Sequence, residues 1–307
     1  MSEKHITVLL DEAVEQLDLK ENGIYIDGTL GRGGHSQLIL DQLKGGKLFA
    51  FDKDNEAIEN VAINDERFEI INSDFRYMKN EMNNRGITAV DGILLDIGVS
   101  SPQFDNKERG FSYRFDDRLD MRMDRSQKFS AYELVNEYSK ADLARVFNEY
   151  GEEKFANRIA DNIIKYRSEK PVETTFDLVD IIKASLPQRE LNKKGHPAKK
   201  VFQAIRIEVN DELGALKQAI AEGAELLGSK GRYVIITFHS LEDRIVKKMF
   251  KKLAVGDTLD KRVPIMPDQI ESSGYEVILR KPILASEEEL EDNKRSRSAK
   301  LRVLERA

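Results

Sequence analysis

Three observations predict an α/β fold in which a seven-stranded sheet carries an inserted all-helical domain. Four short β-rich runs alternate with helical segments near the start of the chain, which is the rhythm of βα units on a parallel sheet. The first run breaks into a glycine loop and the second ends on a carboxylate. Then the alternation stops, and from about Ser130 to Leu227 the pattern is helical throughout before β-rich runs resume.

The elements follow in order. Strands are predicted at 24–27, 47–52, 68–72 and 91–96, with helices at 36–43 and 55–62 between the first three. In the helical stretch, Ser139 with Asp142 and Thr174-Thr175 mark helix starts, and Gly151, Pro171 and Pro187 mark breaks. A long helix is predicted from near Pro197, with Val201, Ile205, Val209, Leu213 and Leu216 on one stripe, returning the chain to the sheet. Strands at 232–238, 275–280 and 299–304 complete it.

The loop Gly28-Thr29-Leu30-Gly31-Arg32-Gly33-Gly34-His35-Ser36 follows strand one, and Asp52 ends strand two, 21 residues after Gly31. This is the layout of a nucleotide-type ligand at the switch point of an open α/β sheet. The ligand is narrowed by what the loop lacks. A dinucleotide fingerprint wants a third glycine or alanine where Ser36 stands, and no Gly-Lys-Ser/Thr makes a P-loop. S-adenosylmethionine has no phosphate; its carboxylate suits the N–H groups at a helix N-terminus, and its ribose diol suits Asp52. A tight structural turn is the competing account of Gly31, Gly33 and Gly34, and the timed carboxylate argues against it.

Two further strand ends belong to the same edge. Asn72-Ser73-Asp74-Phe75 offers a polar group for an adenine amine and a ring to cover its face, or equally a loop acid beside a core aromatic. Asp91 to Asp96 is an apolar run ending on a carboxylate, followed by Gly98-Val99-Ser100-Ser101-Pro102-Gln103-Phe104.

Composition sets outer bounds. Hydrophobic residues make up 40% of the chain, enough for a substantial core. There is no cysteine, hence no disulfide or thiolate zinc site, and four scattered histidines give no metal-ligand spacing, so no metal is expected. The polar start Met1-Ser2-Glu3-Lys4-His5 and the lack of a long apolar run predict a cytoplasmic protein without membrane attachment. A net charge of −6 leaves local nucleic-acid patches possible. Two basic clusters, 193–200 and 294–302, suit phosphates, or are a solvated helix end and tail; the segment Arg109, Phe111, Tyr113, Arg114, Arg118, Arg122 and Arg125 suits phosphates and unpaired bases. Asp116, Asp117, Asp120 and Asp124 interleave with that segment, which makes salt-bridged scaffolding the other reading.

With these residues in view, the chain resembles class I (Rossmann-like) S-adenosylmethionine-dependent methyltransferases, and more closely the MraW/RsmH family of ribosomal RNA cytosine-N4 methyltransferases. The matching stretches run nearly end to end: His5 to Leu10, Gly31 to Ser36, Asp91 to Gln103, Glu108 to Ser112, Leu119 to Asp124, Tyr150 to Glu153, Gly195 to Ala198, Phe202 to Ile207, Asn210 to Leu213, Phe238 to Arg244 and Arg297 to Arg302. The resemblance implies methylation of one cytidine in the decoding region of 16S RNA within the assembled small ribosomal subunit. It implies cofactor contacts from Gly33, Gly34, His35, Asp52, Phe75, Asp96 and Gln103. It also implies a cofactor-binding domain over 1–113 and 206–307, with an inserted helical domain over 114–205 that helps recognise substrate. Monomer and homodimer both stand.

A sulfonium methyl is already a good electrophile, so alignment is the main task. The exocyclic amine of cytosine is a poor nucleophile, and acceptors at its N–H groups favour the reactive form. DNA amino-methyltransferases use an Asp/Asn/Ser-Pro-Pro-aromatic loop; here Ser101-Pro102-Gln103-Phe104 departs at the third position, and Ser101 is the candidate catalytic contact. The target base must be unpaired or flipped out to reach the site. His239 is read either as a nucleotide contact or as a backbone hydrogen-bonding group, and Ser240 with Asp243 as a capping box. Two alternatives remain: an NAD-type oxidoreductase, which lacks its third glycine here, and a non-catalytic ribosome-assembly factor on a methyltransferase fold.

Overall fold

The computed structural model describes residues 6–98, 107–255 and 273–307. The chain forms two compact units, residues 1–98 with 214–307, and residues 99–213.

The first unit is built on a seven-stranded sheet of β1 (Ile24–Asp27), β2 (Lys47–Asp52), β3 (Phe68–Asn72), β4 (Val90–Asp96), β5 (Leu227–Thr237), β6 (Tyr275–Val277) and β7 (Lys300–Arg306), in the order β3-β2-β1-β4-β5-β7-β6. The pairs β3/β2, β2/β1, β1/β4 and β4/β5 are parallel; β5/β7 and β7/β6 are antiparallel. Strand order reverses at β1, which pairs with β2 through Asp27 and Ala50 and with β4 through Asp27 and Leu94. The C-terminal ends of the parallel strands therefore bring Asp27, Asp52, Asn72 and Asp96 to one edge.

Both faces of the sheet are buried, so β1 and β2 are apolar between their ends, and β4 and β5 are apolar over Ile93 to Leu95 and Tyr233 to Ile236. Ile26, Phe49, Phe51, Ile93, Leu95 and Ile235 face one core with Leu216, Ile220, Val246 and Phe250. The alternate residues Tyr25, Leu48, Leu94, Val234 and Ile236 face another with Leu9, Val14, Leu17, Ile39 and Leu40. The fifth strand begins earlier than its apolar run because a shift in register between Val90 and Gly92 lets Val90 pair with Leu227. The sixth stops at Val277, well short of position 280.

The second unit is helical, with helices at Ala131–Glu137, Lys140–Glu149, Ala156–Arg167, Thr175–Ser185, Gln188–Leu191 and Lys199–Asn210. Leu134, Val146, Phe147, Ile159, Ile163, Leu178, Ile182, Val201 and Ile205 form its core. Ser139 accepts from Asp142 N and a helix starts at Thr174-Thr175, as the sequence predicts; Thr174 adds a reciprocal capping box with Asp177. A second capping box, Ser130 with Glu133, starts the helix Ala131–Glu137. The contact division differs in position from 113/114 and 205/206: Phe111 packs in the helical core at one end, and Ile205 and Val209 at the other.

The long helix predicted from Pro197 is two helices. Asp211 takes a left-handed conformation (φ 48°) that ends Lys199–Asn210, and a second helix, Glu212–Leu226, follows. Its stripe is divided accordingly: Val201, Ile205 and Val209 belong to the helical core, Leu216 to the core under the sheet.

Candidate cofactor site

The site lies in the first unit, at the carboxyl edge of the sheet. The turn after β1 is closed by backbone: Gly28 N donates to Leu94 O (2.9 Å), Leu30 N to Phe51 O (2.9 Å) and Gly33 N to Leu30 O (2.7 Å). Gly33 adopts φ 77°, a region that side chains with a Cβ rarely enter. A Cβ on Gly34 would stand 2.0 Å from Thr7 Oγ1, so the segment before the first helix lies directly on this loop.

The helix Gly34–Gln42 starts with no side-chain cap at Gly33. Its first N–H groups receive no side-chain cap from that position, and the helix dipole favours an anionic ligand group there.

Asp27 is fully sealed at the end of β1. Its Oδ2 accepts from Ser36 Oγ (2.7 Å) and its Oδ1 from Thr29 N (3.0 Å), which pins the strand end to the helix start. Burial pushes its carboxyl upward, and those donors offset part of the rise. No pattern singles Asp27 out in the sequence, because it reads as the polar end of an apolar strand.

Asp52 is half-buried, with Oδ2 accepting from Gly31 N (3.1 Å) and Oδ1 from Asp54 N (2.9 Å). Each oxygen keeps a further lone pair, so a vicinal diol can be received without breaking either bond. Burial raises the carboxyl to about 6, against the pull of the Asp54 and Gly31 amides.

His35 is buried, and its Nε2 has no hydrogen-bond partner among the described residues. Burial lowers its pKa, opposed by the Asp96 charge and by hydrogen bonds with the backbone of Val8 and Leu9, so the ring is neutral at neutral pH. A buried polar atom left unpaired costs about 1–3 kcal/mol, and a bound ligand relieves that cost.

Asp96 ends β4 with its amide donating to Thr29 Oγ1 (2.7 Å) and its Oδ1 accepting from Gly98 N (3.2 Å). Burial raises its carboxyl; the His35 ring lowers it, and Asp27 and Glu242 add to the rise. Phe75 follows β3 and lies against the loop, 3.2 Å from where a Cβ on Gly28 would sit. Asp74 serves its own turn instead of facing outward: it accepts from Arg76 N and pairs with Lys53 and Arg76, each at 3.3 Å.

His239 and Glu242 begin the helix Ser240–Val255. Glu242 Oε2 accepts from Phe238 N (2.7 Å) and His239 N (3.2 Å), while His239 Nδ1 accepts from Glu242 N (3.4 Å). The reciprocal cap thus sits one residue earlier than Ser240 with Asp243. Asp243 is drawn away to Arg302 Nε (2.7 Å) and Lys300 Nζ (3.2 Å) on β7. His239 bonds backbone through Nδ1, and its Nε2 lies 2.8 Å from Glu242 Oε1.

The structure brings Gly33, Gly34, His35, Asp52, Phe75 and Asp96 to one edge of the sheet. Ser101, Gln103 and Phe104 lie outside the described residues. An S-adenosyl group fits what is present: an uncapped helix N-terminus beside an unpaired buried imidazole nitrogen, a carboxylate with spare acceptors at the end of the second strand, and an aromatic ring after the third.

A family model, the MraW methylase family, matches residues 2–307 of the chain. The chain belongs to the MraW methylase family. Its methylases depend on S-adenosylmethionine, and the sheet described above is a mixed seven-stranded α/β sheet. A curated relative from Oenococcus oeni, named ribosomal RNA small subunit methyltransferase H, is 50% identical over 308 residues, covering 98% of each chain. Among solved structures, a putative methyltransferase from Streptococcus mutans in complex with SAH aligns at 13% identity and TM-score 0.41, over 99% of this chain and 100% of that one. An rRNA methylase from Streptococcus thermophilus aligns at 12% identity and TM-score 0.37, over 96% and 92%. Among the described residues, no helix is long and apolar enough to cross a membrane.

Proposed function

We propose that this methylase transfers a methyl group from S-adenosylmethionine to small-subunit ribosomal RNA, at the exocyclic N4 of one cytidine in the decoding region. The observation that carries the cofactor half is the conjunction of the uncapped helix at Gly34, the unpaired His35 Nε2 and Asp52 at the switch point. The RNA half is supported by the name and 50% identity of the Oenococcus oeni relative.

When bound, S-adenosylmethionine supplies an electrophilic methyl on a sulfonium. Everything else falls to the chain's own residues. The first turn of the helix Gly34–Gln42 receives the cofactor carboxylate, with Gly33 and Gly34 allowing close backbone approach. Asp52 accepts the ribose diol and Phe75 covers the adenine. His35, neutral and with a buried unpaired nitrogen, fixes the amino-acid end together with Asp96. Gln103 completes the set. Ser101, which follows β4 in the sequence, accepts from the target amine and holds it in line with the methyl carbon. The helical unit, read from the sequence as residues 114–205, holds the RNA.

The test is transfer of labelled methyl from S-adenosylmethionine to small subunits lacking the modification, followed by nucleoside analysis. N4-methylcytidine is the expected product. Label in another nucleoside overturns the base assignment. Saturable cofactor binding without incorporation favours a non-catalytic assembly factor on the same fold.

A further inference from the structure

The helical unit sorts the arginine-rich segment into two sets. Arg109 is buried and donates to the carbonyls of Arg122 and Met123, and Arg122 forms a bidentate pair with Asp120 (both bonds 2.7 Å). Those two are scaffolding, as is Phe111 in the core. Tyr113 and Arg114, between them in sequence, are placed differently.

The Tyr113 ring stacks on His196, with centroids 4.3 Å apart and planes 10° from parallel. Phe202 meets Tyr113 edge-on at 5.6 Å and 86°, so the tyrosine is held from a second direction. His196 is presented by a turn in which Gly195 has φ 107°, open only to glycine, and its Nδ1 accepts from Ala198 N (3.2 Å). Among the described residues no second ring stacks on His196, and it is half-buried, not enclosed.

Two cations act on this pair. Partial burial lowers the pKa of the imidazole, and the charges of Lys183 and Arg114 lower it further and keep it neutral. Lys194 and Lys199, in the same turn, are exposed and have no acidic partner among the described residues. Two large rings stand exposed in the same unit: Phe115, next to Arg114 in sequence, and Phe176, at the start of the helix that carries Lys183. Thr175 Oγ1 donates to Phe115 O (2.6 Å), which ties the two rings' backbones together. A stacked π face with Arg114 and Lys183 acting on it and exposed Lys194 and Lys199 in the same turn suits a nucleic acid strand with unstacked bases; an apolar protein partner has no use for the cations.

We propose that the stacked Tyr113–His196 pair, flanked by Arg114 and Lys183, is a platform on which one unpaired nucleobase of the RNA stacks while the cations contact neighbouring phosphates. This rests on the RNA-methylating reading and extends it to a specific subsite outside the cofactor site.

The experiment is equilibrium binding of the full chain to unmodified small subunits and to oligocytidylate, for wild type, His196→Leu and His196→Phe. One stacked base contributes enough that His196→Leu should weaken binding to both probes about tenfold, while His196→Phe, which keeps the π face, should stay within about twofold of wild type. Cofactor affinity and helical circular dichroism verify that each variant is folded. Arg114→Ala should lower the slope of log affinity against log salt by about one contact. Equal binding by His196→Leu and wild type overturns the proposal. So does a loss confined to whole subunits with oligocytidylate unaffected, which puts a ribosomal protein on the patch. Failure of the methylation reading appears separately, as absent methyl transfer by wild type, and leaves the oligocytidylate comparison intact.

Discussion

The backbone amide of Leu9 donates a 2.9 Å hydrogen bond to Oε1 of Glu289, across 280 residues of chain. Ser296 Oγ donates to the same oxygen, and Asn293 Nδ2 donates to Ile6 O (3.0 Å). Leu9 holds φ 49°, a conformation costing a leucine about 1–2 kcal/mol. The strained segment Ile6–Leu9 is thereby fixed over the glycine loop, with Thr7 on Gly34 and the backbone of Val8 and Leu9 beside His35.

Glu289→Ala should therefore weaken cofactor binding, although Glu289 is not expected to touch the cofactor. It leaves Leu9 N–H unpaired, and about 1–3 kcal/mol of stability should go with it. Glu289→Gln keeps an acceptor and should lose less of both. Calorimetric titration with S-adenosylmethionine beside denaturant unfolding measures the two effects; unaltered cofactor affinity in Glu289→Ala would sink the coupling.

Asp52 gives a pH signature with two opposite signs. The native carboxyl titrates at about 6 and the unfolded one near 3.8, so the native state holds the proton more tightly. Stability of the ligand-free protein from this group therefore falls as pH rises from about 4 to about 6, then levels. Acceptance of the diol needs the charged form, so cofactor affinity should climb over the upper part of that range. Asp52→Asn should flatten both profiles and weaken binding at pH 8 by at least tenfold, the scale of a hydrogen bond to a charged group, about 1.5–3 kcal/mol. Affinity that still climbs through pH 6 in the variant would assign the titration elsewhere.

Gly34→Ala should abolish tight cofactor binding, since its methyl would meet Thr7 Oγ1 at 2.0 Å. Thr7→Ala in the same chain removes that atom and should restore part of the affinity. A double-mutant cycle reads the coupling, and strictly additive losses would mean that the clash is elsewhere.

Ser130→Ala tests the helical unit alone. Loss of the Ser130–Glu133 box should cost about 1 kcal/mol of stability, with S-adenosylmethionine affinity unchanged. A shift in cofactor affinity would contradict the assignment of that site to the sheet unit.

The sheet was legible because its buried strands are short apolar runs that stop on polar residues, and Asp27, Asp52 and Asp96 stop where the ladder stops. Helix starts at Ser139 and Thr174 were legible because their caps are local in sequence. What failed was whatever long-range pairing decides. Asp243 has the spacing to cap with Ser240, yet Arg302 outbids that local bond, and His239 takes the cap. The stripe from Val201 to Leu216 obeys one helical period, and nothing local announces the left-handed Asp211 that cuts it. Glu289 and Asn293 sit in an acidic, polar stretch that reads as solvated surface; only the fold brings them to Leu9 and Ile6. Within the arginine segment, charge alone cannot separate buried Arg109 from exposed Arg114, because that difference is made by packing.

The antiparallel place of β7 has a consequence for synthesis. β5 is apolar along Val234, Ile235 and Ile236, and one of its edges is covered only by β7, with Thr237 paired to Lys300, 63 residues later. At about 5–20 residues per second, a nascent chain holds that edge open for several seconds after β5 has emerged. An uncovered apolar strand edge is a template for pairing with other chains. For this protein the hazardous interval is the one spent on the translating ribosome, and a slow stretch of message between positions 237 and 300 would lengthen it.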